Sequence, residues 1–150
     1  MVMALTGNDT IILNDNILSD FAEGDTGKFS FPNKLVEAKP GKNRNVIFAY
    51  NAAGVLSEAE LRLIRGSAND KFMNSLMISY INDPAGFVPI DGEFIKRVGD
   101  GKGNVSNDVY LFAGGVITNI PEGKENVSGE TEQAVTVWKI TFANTSRSIA

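Results

Sequence analysis

Six carboxylates flank or lie on extended stretches of the chain: Glu58, Glu60, Asp91, Glu93, Asp100 and Asp108. Two of them at a fixed separation across a cleft would make a glycosidase pair. Spacing along the chain does not set that separation, and acidic residues beside strands more often form solvated faces or cross-strand partners, as Glu58 and Arg62 can. Gly99-Asp-Gly-Lys-Gly-Asn superficially resembles a phosphate loop. It lacks the G-x-x-x-x-G-K-[ST] spacing and opens into a strand, so it reads as a hairpin tip. It is equally poor as a calcium loop, because Lys102 stands between Asp100 and Asn104 where a second acidic ligand belongs. Asn8, Asn104, Asn126 and Asn144 begin N-x-[ST] triplets, which without a secretion signal are chance matches.

Two zeros in the composition narrow the chemistry further. There is no cysteine, which removes disulfides, zinc–thiolate sites, iron–sulfur clusters and thiol nucleophiles. There is no histidine, which removes the usual base near neutral pH, the Ser-His-Asp relay and the commonest ligand of zinc, copper and iron. The expectation is a protein that is not an enzyme, with no catalytic, cofactor or metal site. A net charge of −4 and a pI near 4.8 argue against binding to a nucleic-acid backbone, which needs a positive footprint.

The elements around these residues are mostly strands. The chain has 150 residues, 43% of them hydrophobic, and suits one domain over residues 1–150 that buries roughly 68–70% of its unfolded surface. Turn residues recur at short intervals: Asn14–Asn16, Glu23–Thr26, Pro40–Asn43, Asn51–Gly54, Asp83–Gly86, Asp91-Gly92 and Gly99–Asn104. They delimit strands at Thr10–Leu13, Ile17–Phe21, Gly27–Phe31, Leu35–Ala38, Asn45–Tyr50, Phe87–Ile90 and Glu93–Val98. Two longer strands, Asp108–Asn119 and Gln133–Phe142, are joined by the polar loop Pro121–Thr131.

Between Val55 and Asn82 the period changes from two to about 3.6. Ala59, Leu61 and Leu63 alternate with Glu58, Glu60 and Arg62, as on a strand covered on one side. Ser67 then caps a helix, with Asp70 reaching back three residues and Phe72, Met73, Leu76, Met77, Tyr80 and Ile81 as its apolar stripe. Ile78 falls off that stripe, among Lys71, Asn74 and Ser75. The fold class is therefore mainly β, an antiparallel sandwich or barrel with one flanking helix. In Val109–Ile117 and the last strand both alternation sets are apolar or small, which implies either a central position or a contact between subunits. The amino terminus MVMALTGNDT has no basic region or long apolar run, and no segment approaches ~20 apolar residues, so a soluble protein made in a cytoplasm is expected.

Five segments resemble, in order and spacing, tail tube proteins of tailed bacteriophages, particularly the contractile-tailed kind. They are LTGNDTIILNDNILSDFAEGD, FPNKLVEAKPGKN, the strand-to-helix block ending IRGSANDKFMNSL, GEFIKRVGDGKGN and ENVSGETEQAVTVWKITF. The resemblance spans nearly the whole chain. It implies six copies per ring, rings stacked into a hollow tube, and adjacent subunits pairing strands into an inner barrel around the tape measure protein and later the genome. Tail sheath and baseplate or initiator proteins are implied partners, and the virion tail, assembled in the host bacterial cytoplasm, the implied location. On that resemblance Glu58, Glu60 and Arg62 are expected to line the lumen, where carboxylates would give DNA no phosphate contacts. Contacts between rings or subunits are expected at hairpin tips and chain ends: Lys39, Lys42 and Asn43; Asp100 and Lys102; Glu122, Lys124 and Glu125; and the amino-terminal arm. The helix, through Lys71, Asn74 and Ile78, is expected on the outer side, where a sheath could touch it. Competing readings are a tube of a phage-derived injection particle or secretion apparatus, and a β-sandwich binding module or carboxylate enzyme. The last is disfavoured by the single tryptophan and the missing histidine.

Overall fold

The computed structural model describes residues 2–5, 9–22, 27–123 and 131–150. Among these, ten strands and one α-helix form. The strands are β1 (Ala4–Leu5), β2 (Thr10–Leu13), β3 (Asn16–Leu18), β4 (Gly27–Ser30), β5 (Val36–Pro40), β6 (Val46–Tyr50), β7 (Ser57–Ile64), β8 (Ile90–Gly99), β9 (Val105–Ile117) and β10 (Val135–Ile149), with α1 at Ala68–Asn82. Eight strands make one antiparallel sheet in the order β3-β2-β8-β9-β10-β7-β4, with β1 also on β8. The remaining two, β5 and β6, pair only with each other.

The sheet curls until its ends meet. Phe29 on β4, at one end of the order, lies 5.1 Å from Phe94 on β8 and 4.9 Å from Phe112 on β9, ring centroid to centroid. The chain leaving β3 then crosses to the far side: Ile64 N–H donates to Asp20 O at 2.9 Å, Ala22 N–H donates to Arg62 O at 3.0 Å, and Phe21 bridges Leu63. Curling of this kind pairs edges that would otherwise be exposed.

Inside the curl sits one core. Ser57, Ala59, Leu61 and Leu63 on β7 are all buried, as their alternation requires, and meet Ile11, Leu13, Ile90, Phe112, Trp138, Ile140 and Phe142. The hydroxyl of Ser57 is not stranded there, because it pairs with Thr145 Oγ1 at 2.7 Å. Met73 is fully buried beneath α1, with Phe72, Leu76 and Met77 packed beside it. Ile81, placed on the apolar stripe by its spacing, is instead 52% exposed. Tyr80 packs edge-on against Phe87 at 5.4 Å.

Several expected boundaries shift, and the third strand ends at Leu18 instead of Phe21; the largest changes fall in the three long strands. Phe87–Ile90 and Glu93–Val98 are not two strands around a turn, because Asp91-Gly92 lies within β8 at a register shift. A Cβ on Gly92 would stand 2.8 Å from Leu13 Cδ2, so this glycine permits close approach of β2 where a turn was expected. The ninth strand begins at Val105, and the last runs on to Ile149, pairing Asn144–Ile149 with Asp108–Ala113. Ala-Asn-Thr-Ser-Arg-Ser hides that extension, since it has no apolar alternation.

Candidate assembly surfaces

The β5–β6 hairpin stands clear of the curled sheet. Its register puts Val36 opposite Tyr50, Ala38 opposite Phe48 and Pro40 opposite Val46, so one face is wholly apolar. None of the described residues covers it: Phe48 and Tyr50 are each 70% exposed, and every residue of both strands is exposed. The opposite face carries Glu37, Lys39, Ile47 and Ala49. At the tip Asn43 and Arg44 adopt left-handed φ values of 61° and 66°. That is a mild strain for asparagine and a larger one for arginine.

The base of the hairpin is firmly held. Asn51 N–H donates to Leu35 O at 2.9 Å, Asn51 Nδ2 to Lys34 O at 3.0 Å, and Asn33 Nδ2 to Ala53 O at 3.2 Å. Gly54 is buried against the Lys34–Leu35 backbone, with no room for a Cβ. Of the residues expected at contacts, Lys39, Lys42 and Asn43 all lie on this arm. Sequence reasoning singled out its polar tip and missed the apolar face behind it, although Val36/Ala38/Pro40 against Val46/Phe48/Tyr50 carries the period-two signal.

Asp100 and Lys102 sit in the β8–β9 turn. There the Asp100 carboxylate accepts from Lys102 N at 2.7 Å, Asn104 N at 3.2 Å and Asn104 Nδ2 at 2.8 Å. Those bonds, the Asn104 side chain first, hold its carboxyl below the ordinary value. The amino-terminal arm lies alongside, since a Cβ on Gly101 would be 3.0 Å from Val2 Cγ1. Two of the expected contact regions therefore share one corner.

Glu122 is exposed, and with Lys71 and Asn74 of α1 it lines an open groove of about 410 Å³ that reaches Trp138. Lys124 and Glu125 lie outside the described residues. Ile78 is exposed on α1. The helix starts at Ser67, whose Oγ accepts from Asp70 N at 3.3 Å. Asp70 reaches back four residues instead of three, accepting from Gly66 N at 2.9 Å through Oδ2, and its Oδ1 accepts from the Trp138 indole at 2.9 Å.

Glu58, Glu60 and Arg62 point away from the core on β7. In register, Glu60 lies between Lys28 on β4 and Lys139 on β10, and Glu58 between Ser30 and Thr141. With Lys28, Arg62 and Lys139 beside Glu58 and Glu60, this face carries both signs of charge and is not acidic. Asp108, another of the sequence's carboxylates, accepts from Arg147 Nε at 2.9 Å and Nη2 at 2.8 Å, and the same guanidinium lies 5.3 Å from the Tyr110 ring centre. The outer face of the β3-β2-β8-β9-β10 run has one cross-strand row of Ile17, Ile12, Glu93, Leu111 and Ser146. Leu111 is 51% exposed there. Among the described residues no three His, Cys, Asp or Glu side chains gather to hold a metal ion, and no helix is long and apolar enough to cross a membrane.

The molecule is thus a curled antiparallel sheet with a packed helix and a projecting hairpin, apolar on surfaces that the described residues leave bare. A solved structure with this fold is the cryo-EM structure of the anti-feeding prophage cap, a tube-terminating cap, which superposes with a TM-score of 0.60 at 12% identity over 97% of this chain and 90% of that chain. No family model and no curated protein matches the sequence.

Proposed function

We propose that this chain is a structural subunit of a phage tail or phage-derived injection particle, and that six copies close into rings that stack as a hollow tube. The observation that carries this reading is the β5–β6 hairpin, a preorganised arm with a bare apolar face, on a fold shared with a chain of a tube-terminating cap assembly. Apolar surface of this kind is normally covered by a partner. Repetition around a closed ring gives every copy the same partner and leaves no end exposed. The tape measure protein and then a genome occupy the lumen of a phage tail, and an effector or nothing occupies that of an injection particle; sheath and baseplate or initiator proteins complete the assembly. Glu58, Glu60 and Arg62 line the lumen in this reading. The hairpin tip, the Asp100–Lys102 turn, the segment from Glu122 through Lys124 and Glu125, and the amino-terminal arm make contacts between rings or subunits, while Lys71, Asn74 and Ile78 face outward.

The cap in the superposed structure favours a second reading, a ring that ends a tube instead of extending it. Electron microscopy of the purified chain over a concentration series separates the two. Hollow tubes are expected for the first reading and single rings for the second; a chain that stays monomeric throughout overturns both.

A further inference from the structure

The hairpin and the body of the chain differ in charge sign. Residues 34–50 contain four cations, Lys34, Lys39, Lys42 and Arg44, and one carboxylate, Glu37. The whole chain has 14 cations and 18 carboxylates, so the arm is +3 and everything else is −7. A basic, apolar arm is thus fixed to an acidic body on which it does not lie.

One surface of the body matches the arm in both respects. On the outer face of β2, β8 and β9 an open groove of about 410 Å³ is lined by Ile12, Asp15, Asp91, Glu93, Leu111 and Ala113 among others, with no cation in its wall. Its apolar floor continues through Ile17, which is 64% exposed. Glu93 stands between Ile12 and Leu111 in register, so carboxylate and hydrocarbon alternate across the groove as lysine and isoleucine sit together on the arm.

We infer that the β5–β6 hairpin of one copy seats in the Ile12–Glu93–Leu111 groove of the next copy, its Lys39–Ile47 face lying over Ile12, Glu93 and Leu111 and its basic tip meeting Asp15 and Asp91. This names the subunit contact within the ring proposed above and rests on that reading. Arm and groove are different surfaces of one chain, so the contact is heterologous and propagates from copy to copy until it closes. Complementary charge also selects the order of contact and rejects arm against arm. The arm is clamped at its base by Asn51, Asn33 and Gly54, so it offers the same shape before and after docking.

Charge reversal tests the pairing outside the core, because Lys39, Lys42, Arg44 and Asp91 are exposed and Glu93 is half-buried on the outer face beside Ile12 and Leu111. Three variants are compared with the unaltered chain by sedimentation velocity and electron microscopy: Lys39→Glu/Lys42→Glu/Arg44→Glu on the arm, Asp91→Lys/Glu93→Lys in the groove, and all five together. Circular dichroism and thermal melts confirm that each folds. Either set alone is expected to raise the concentration needed for assembly by about a hundredfold, and the combined chain to restore it. If each single set assembles like the unaltered chain, or the folded combined chain fails to recover, the arm–groove contact is wrong and the ring reading stands. If the unaltered chain never assembles, both fall.

Discussion

Asn69 and Asp20 bind each other's backbone across 49 residues of sequence. Asn69 Oδ1 accepts from Ser19 N at 2.8 Å and Asp20 N at 2.9 Å, while Asp20 Oδ2 accepts from Asn69 N at 3.2 Å. The pair joins the first turn of α1 to the stretch of chain that carries β3 across to β7. Asn69→Ala leaves two amide donors without that partner, and a loss of about 1–3 kcal/mol in urea unfolding is expected. Asp20→Ala is expected to cost less, and the double variant less than the sum, because both act on one contact.

The single tryptophan reports on the other end of that helix turn. Asp70 receives the Trp138 indole and the Gly66 amide together, so Asp70→Ala is expected to destabilise by about 2–3 kcal/mol, against about 1 kcal/mol for Ser67→Ala, which removes one capping bond. Tryptophan fluorescence measured without denaturant separates the two. It shifts in Asp70→Ala, which loses the indole partner, and stays put in Ser67→Ala.

Asp108 supplies a pH dependence of known sign. The hydrogen bond from Arg147, aided by its charge and that of Lys96, holds this carboxyl below its ordinary value against a smaller opposing effect of burial. A depressed folded value means the contribution is complete above the ordinary carboxylate range and is lost as pH falls through the folded value. In Arg147→Gln the Asp108 midpoint is expected to move upward, read by carboxyl-carbon NMR titration. An unmoved midpoint refutes the assignment of cause.

If β7 lines the lumen, Glu58 and Glu60 are what keep the cations of that face from holding a polyanion. Glu58→Gln with Glu60→Gln removes two carboxylates from that face, one of them from between Lys28 and Lys139. Assembled tubes are then expected to retain DNA in a salt-dependent way and to slow genome delivery, while tube formation is unchanged. Equal ejection rates for altered and unaltered tubes place the lumen elsewhere.

The parts of the fold that were legible in the sequence are those where one residue's neighbours decide its fate. Alternation of Ala59, Leu61 and Leu63 against charges put β7 on a core, and Ser67 ahead of Asp70 marked the start of α1. What was not legible depended on contacts from afar. Gly92 reads as a turn until β2 is known to press against it. The tail of β10 is polar because β9 supplies its order through the backbone, and Ile81 belongs to a helical stripe that outruns the surface beneath it. Leu111 shows the same limit at the candidate surface: apolar residues on both faces of β9 implied a cover for each, and the described residues supply only one.

The clamp at the foot of the hairpin has a bearing on timing. A two-stranded ribbon this size would ordinarily be marginal in water alone. Here Asn33, Asn51 and the tightly enclosed Gly54 brace it from below, so the ordering cost falls within folding of the single molecule. If the chain assembles as proposed, a newly made copy is already competent to recruit, and restraint on premature polymerisation must come from how many copies are present and what template they meet.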